Sequence, residues 1–220
     1  HVASADDVLE FASDVPGFAK ALIEAFWPGP LTLILPRRAD RAAVAAGGQD
    51  SVGVRCPSHP TAQAVLRAAR DLGVRGVAAP SANRFGRVSP TTAAHVQQEF
   101  ADLCVIDGGA CDVGIESTIV DCTRGAPVLL RPGQITPEQL SHACGVAVID
   151  PHAPANGAAA TKKSTTSENP LQAPAPRASG TLASHYAPLA KVRLMHADAC
   201  AAALDAHLQH NAARVIALWT

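Results

Sequence analysis

The tetrad Trp27-Pro28-Gly29-Pro30 constrains the fold more than any other part of this chain. Each proline fixes its own φ and pushes the residue before it out of the helical region, so no helix can pass through it. Before the tetrad, Val15, Phe18, Ala19, Leu22, Ile23 and Phe26 fall on one helical stripe. After it, Leu31-Thr32-Leu33-Ile34-Leu35 reads as a buried strand closed by Pro36. A helix and a buried strand joined so abruptly must pack against each other, which makes the chain an α/β protein.

The same reading extends along the chain. Strands are expected at 51–55, 76–79, 103–106, 117–121 and 128–131, with helices opening at Pro60, at Ser89-Pro90 and at Thr136-Pro137. The Ser89-Pro90 pair predicts a helix to about Phe100, with Ser89 capping its free N–H groups. Several connections in the middle are too short for β-α-β crossovers, so the expected sheet is mixed in direction. From Pro151 to about Ser184 the sequence turns small, polar and proline-rich, a composition that cannot bury enough apolar area to offset chain entropy. Beyond this linker, Lys191–Met195, Asp198–Leu208 and Ala213–Trp219 read as the opening strand, helix and strand of a second, parallel α/β domain.

Composition narrows the function. Eighteen basic against 19 acidic residues leave a net charge of -1, which argues against a polybasic nucleic-acid binder because phosphate neutralisation needs surplus Lys and Arg. No run of about 18 apolar residues and no signal-peptide pattern is found, so neither a membrane span nor a leader is expected. The six cysteines form no C-x-x-C pair and are expected to be reduced, as in a cytoplasmic protein, with Cys104, Cys122 and Cys144 in apolar runs behaving as small hydrophobes.

The loops carry the polar chemistry. Pro80-Ser81-Ala82-Asn83 follows a predicted strand, where ligands of open α/β sheets often bind, although Ser81 and Asn83 can equally form a turn. Ser89 starts a predicted helix whose N–H groups attract anions, or simply caps it. Ser117 and Thr118 begin a strand. Arg55 and Arg131 each end a buried run, where a guanidinium can fork onto a carboxylate or phosphate or else serve as a surface ion-pair partner. Asp107, Asp112, Glu116 and Asp121 are acids that can accompany a nucleotide's Mg²⁺, which spacing alone does not resolve. No P-loop, dinucleotide fingerprint or nucleophile elbow is present. Residue pattern alone reaches an α/β protein with an anion-accepting cleft.

A series of short motifs goes further. Phe26-Trp27-Pro28-Gly29-Pro30-Leu31-Thr32, Val52-Gly53-Val54-Arg55-Cys56-Pro57, Ala79-Pro80-Ser81-Ala82-Asn83, Ser89-Pro90-Thr91, Glu116-Ser117-Thr118-Ile119-Val120-Asp121, Leu130-Arg131-Pro132-Gly133 and Ser184-His185-Tyr186-Ala187-Pro188 occur in this order. Together they resemble the YrdC-like family, and within it the two-domain threonylcarbamoyl-AMP synthases. The resemblance implies a YrdC-like twisted mixed sheet with flanking helices over residues 1–146, a linker and lid over 147–188, and the start of a Rossmann-like domain over 189–220. The family's P-T-E-T-x-Y-G-L and K-x-R-P segments are absent from this sequence, and His1-Val2 matches the stretch just after them. The domain is therefore expected to lack its N-terminal part, and the second domain to be cut short.

The activity implied is that of a nucleotidyltransferase. L-threonine, bicarbonate and ATP condense to threonylcarbamoyl-adenylate and pyrophosphate, and the product supplies the t6A modification of tRNA. By motif position, Arg55, Ala79 and Ser117 would hold threonine, and Ser51, Ser81, Asn83, Ser89 and Arg131 the ATP or adenylate, with His185 and Tyr186 covering the cavity. Mg²⁺ is expected with the triphosphate, and no residue is assigned as nucleophile, base or metal ligand. The downstream t6A transfer machinery and a weak RNA contact complete the implied partners. Other readings are a non-catalytic YrdC-type module binding RNA or nucleotide and a relative that handles carbamoyl-adenylate. The appended Ser184–Pro188 segment favours the threonylcarbamoyl synthase, because single-domain relatives lack it.

Overall fold

In the computed structural model, which describes residues 1–151, 153, 174–178, 196, 198, 199, 202 and 203, the tetrad separates a helix from a strand as its prolines require. Helix α1 (Gly17–Phe26) stops at Trp27, the Trp27–Pro28 bond is cis, and strand β1 (Leu31–Pro36) begins directly after Pro30. Trp27 anchors the turn by donating its indole N–H to the Leu31 carbonyl at 2.8 Å. A Cβ on Gly29 would collide with the Phe26 carbonyl oxygen, so the turn tolerates no side chain there.

Strands β2 (Ser51–Val54), β3 (Thr118–Asp121) and β4 (Val128–Arg131) join β1 in a four-stranded sheet of order β2-β1-β3-β4. β1 pairs antiparallel with β2 and parallel with β3, and β3 pairs antiparallel with β4. The sheet is thus mixed, as the short connections demand. Leu31, Leu33 and Leu35 of β1, Val52 and Val54 of β2, Val120 and Leu129 share one core with Leu22 and Ile23 of α1. Helix α4 (Pro137–Cys144) adds Leu140 to that core, and a capping box between Thr136 and Gln139 holds its start.

The chain divides into two compact units, His1–Tyr186 and Ala187–Thr220, and every strand named belongs to the first. Helix α2 (Pro60–Asp71) buries Gln63 and Leu66. Arg70 of α2 reaches Asp7 at 3.4 Å, beside a short 3-10 helix over Ala5–Glu10. Within the proline-rich stretch, residues 174–178 are described, and here Gln49 reads the main chain. Its amide oxygen accepts from Arg177 N–H at 2.7 Å and its amide nitrogen donates to Arg177 O at 3.2 Å. The Arg177 guanidinium also donates to Gly47 O at 3.2 Å.

Three expectations are corrected. Residues 76–79 and 103–106 are irregular rather than strands. A strand exists through its ladder, and among the described residues Val77 finds only His1, with which it exchanges backbone bonds of 2.9 and 2.7 Å. Leu103 bonds back to Phe100. The helix expected from Ser89 starts later, as α3 (Ala93–Glu99), because Thr92 caps it by accepting from His95 N–H. Cys104 is exposed, like Cys111, whereas Cys56 and Cys122 are buried and Cys144 is intermediate. Among the described residues the apolar run around Cys104 has no strand partner to bury it. Strands expected at 191–195 and 213–219 lie outside the described residues, while Asp198, Ala199, Ala202 and Ala203 are helical. Among the described residues no helix is long and apolar enough to cross a membrane.

Candidate functional site

Sheet topology gathers the predicted arginines. β1 and β3 run in parallel with Leu31 opposite Thr118, while β2 and β4 run against them. The starts of β1 and β3 therefore lie at the same sheet end as the finishes of β2 and β4. Arg55, just past β2, Arg131, the last residue of β4, and Ser117, just before β3, converge there.

Arg131 is the hub. Its Nε and Nη2 donate to the Ser117 carbonyl at 3.0 and 2.8 Å, and Nη2 also lies 3.0 Å from Ser117 Oγ. Ser117 Oγ shares a second hydrogen bond, 2.8 Å, with Thr32 Oγ1. Ser117 and Arg131 are both buried, at 7% and 8% exposure, so this hydroxyl is held from two sides. Behind it, Thr118 Oγ1 donates to Ile135 O and accepts from Ile135 N–H, both at 3.1 Å. The chain passes so close that a Cβ on Gly133 would stand 2.5 Å from Thr118 N.

Arg55 is fixed by donating from Nε to Gly29 O at 2.9 Å, which ties β2 to the proline turn. Burial lowers its pKa from the ordinary value, Glu116 opposes the lowering, and the Arg131 charge adds to it. An arginine starts so far above neutrality that it remains cationic. Ser89 joins the cluster from a distant loop by donating to Glu116 Oε1 at 2.6 Å, and Glu116 Oε2 lies 3.5 Å from Arg131 Nη2. The cations Arg55 and Arg131, the carboxylate Glu116 and the hydroxyls of Thr32, Ser89 and Ser117 thus stand at one sheet end, an arrangement suited to anionic groups.

The other expected residues lie elsewhere. Ser51 sits opposite Pro36 at the far end of β2, about 13 Å along the strand from Arg55. Ser81 is exposed in irregular chain. Asn83 donates to Arg84 O and Arg87 O at 3.0 and 3.1 Å, while its Oδ1 is buried with no hydrogen-bond partner among the described residues. Ala79 lines a largely apolar cavity of about 350 Å³ with His1, His59, Val65, Val77 and Ile106, and neither Arg55, Ser117 nor Arg131 lines it. His185 and Tyr186 lie outside the described residues. Asp121, weighed as a metal ligand, is fully buried and paired with Arg124 and Thr123, so it serves the turn after β3. Asp107 accepts from Gly109 N–H.

Thr32 is a member of the cluster that sequence reasoning did not assign, and Glu116 was weighed only as an acid that could accompany Mg²⁺. Thr32 carried a signal, being the one polar residue in an otherwise apolar strand. For Glu116 the sequence held no signal of its pairing with Arg131 and Ser89, which are distant along the chain.

Residues 1–133 match the Sua5/YciO/YrdC family, described under telomere recombination, and residues 135–220 match a family described as the threonylcarbamoyl-AMP synthase C-terminal domain. The chain is 42% identical over 153 residues to threonylcarbamoyl-AMP synthase of Pyrococcus abyssi, covering 69% of this chain and 44% of that protein. It is 40% identical over 153 residues to the Bacillus subtilis enzyme of the same name, covering 68% and 43%. A crystal structure of Pyrococcus abyssi Sua5 complexed with L-threonine superposes with a TM-score of 0.63 at 42% identity, over 68% of this chain and 43% of that one. The chain therefore spans less than half the length of these relatives. With its mixed sheet and the strand-end cluster it carries, the chain belongs to the Sua5/YciO/YrdC family.

Proposed function

We propose that the chain is part of an L-threonylcarbamoyladenylate synthase that works in the cytoplasm. In this reading the threonine amine takes up carbon from bicarbonate, losing water to give a carbamate. A carbamate oxygen then attacks the ATP α-phosphorus, the bond to the bridging oxygen breaks, and pyrophosphate leaves. The observation that carries the reading is the Arg131 fork holding Ser117 beside Thr32, with Arg55 within electrostatic range. Arg55 and Ser117 would take the threonine carboxylate and hydroxyl, and Arg131 the charge developing on phosphate. Positioning and cationic donors supply such a transfer without a covalent nucleophile. The orphaned Asn83 Oδ1 is an acceptor that a nucleotide N–H or O–H would satisfy.

Ser51, Ser81 and Ser89 remain proposed nucleotide contacts, Ala79 a wall of the threonine pocket, and His185 and Tyr186 the cover. Mg²⁺ would arrive with the triphosphate. No group of three His, Cys, Asp or Glu side chains is gathered among the described residues, so phosphate oxygens would supply much of its shell, as is usual for this ion. Bicarbonate, the t6A transfer machinery and a weak RNA contact complete the proposed partners, and the layout of 1–146, 147–188 and 189–220 stands with them. The test is pyrophosphate release from ATP with threonine and bicarbonate supplied together and singly. Release only with both is expected, and release without threonine would sink the assignment.

A further inference from the structure

Glu116 takes up donors that an incoming anion would need. Its Oε1 accepts the Ser89 hydroxyl proton at 2.6 Å, its Oε2 stands 3.5 Å from Arg131 Nη2, and its charge acts on Arg55. A serine hydroxyl has a single proton. As placed, Ser89 therefore offers only lone pairs to a third group, and cannot donate to a phosphate or carboxylate while Glu116 holds it. Glu116 has room to move. Its side chain is 32% exposed, and it lies in irregular chain just before β3. Were its carboxylate to stay beside a bound anion, like charges a few ångströms apart would oppose binding.

We propose that Glu116 is the resident counter-anion of this site, holding Ser89 and Arg131 until it yields both to the phosphate or carboxylate of the ligand. Binding is then an exchange of one anion for another rather than the filling of a vacant cradle. Such an exchange favours charge: a singly charged anion gains less over the carboxylate it displaces than a polyphosphate does. The inference deepens the proposed function by assigning the site a control on what occupies it. It rests on that reading only for the identity of the ligand.

The test is calorimetric titration of the 220-residue chain and its Glu116→Gln variant with inorganic pyrophosphate and, separately, with L-threonine. Glutamine keeps the size and an oxygen to accept from Ser89, but removes the charge. At least one ligand is expected to bind the variant roughly three- to tenfold more tightly than the parent, and the ligand that gains identifies phosphate or carboxylate as the displacing group. Equal or weaker binding of both overturns the proposal, as does a lack of binding to either protein. Should the variant not fold, ¹³C-carboxylate-labelled Glu in the parent chain reports instead. The Glu116 resonance should shift on adding ligand, and a resonance that stays put overturns the proposal. Failure of threonine-dependent pyrophosphate formation would remove the functional reading while leaving the Glu-to-Gln affinity comparison standing.

Discussion

Two regions of the first unit differ sharply. The sheet and α1 supply most of the closed core, with Leu22, Leu31, Leu33, Leu35 and Val120 at 0% exposure. From Arg67 to Glu116, in contrast, not one residue is buried, and Phe85, Leu72 and Ile106 are 86%, 85% and 66% exposed. Both stretches contain apolar runs, so hydrophobicity alone does not separate them. What separates them is hydrogen-bond partnership: β1 has a mate on each side, whereas Val77 has one paired residue. The strand-end cluster lies on the seam, with Arg55, Ser117 and Arg131 from the closed region and Ser89 and Glu116 from the open one.

The strongest way to break this contrast is a pair of truncations followed by denaturant unfolding. Leu33→Ala should cost about 3–4 kcal/mol as a cavity in a closed core, and Leu72→Ala, at an exposed position, less than about 0.5 kcal/mol. Comparable losses would mean that the open region is packed after all. Next in size, Asp121→Ala removes the fully buried carboxylate that holds Arg124 and Thr123 and should cost about 3 kcal/mol. Thr136→Ala removes the α4 cap and should cost about 1 kcal/mol, read in the same unfolding assay.

The smallest expected effect is on alkylation and pH. Cys104 and Cys111 should be modified rapidly and Cys56 and Cys122 slowly, as peptide mass spectrometry would resolve. Burial first, and then the Asp121 charge, raise the Cys122 pKa far above the usual thiol value. A raised folded pKa means that the unfolded chain releases the proton more readily. The Cys122 contribution is therefore complete below about pH 8.5 and declines above it, which thermal melts from about pH 7 to 10 would show as falling stability.

This contrast also explains what the sequence disclosed. The proline tetrad and the leucine alternation of β1 are local signals, and both appear where expected. The apolar runs at 76–79 and 103–106 look equally strand-like, but a strand is decided by a partner elsewhere in the chain, which a local pattern does not contain. Ser89-Pro90 has the letters of a helix start, yet Thr92 caps better placed N–H groups. Arg55, Ser117 and Arg131 were legible because each adjoins a buried run. Glu116 was legible only as an acid, because its role in the cluster comes from Ser89 being folded back onto it across 27 positions.

The contact between Gln49 and Arg177 has a consequence for how freely the sequence around residue 177 can drift. Gln49 addresses only the peptide N–H and C=O of residue 177, groups that every amino acid except proline possesses. Most replacements of Arg177 would forfeit the Gly47 bond and keep the docking. Proline would abolish the shorter of the two Gln49 bonds. The docking point is thus recognised by backbone shape, while the identity of its side chain is left almost unconstrained.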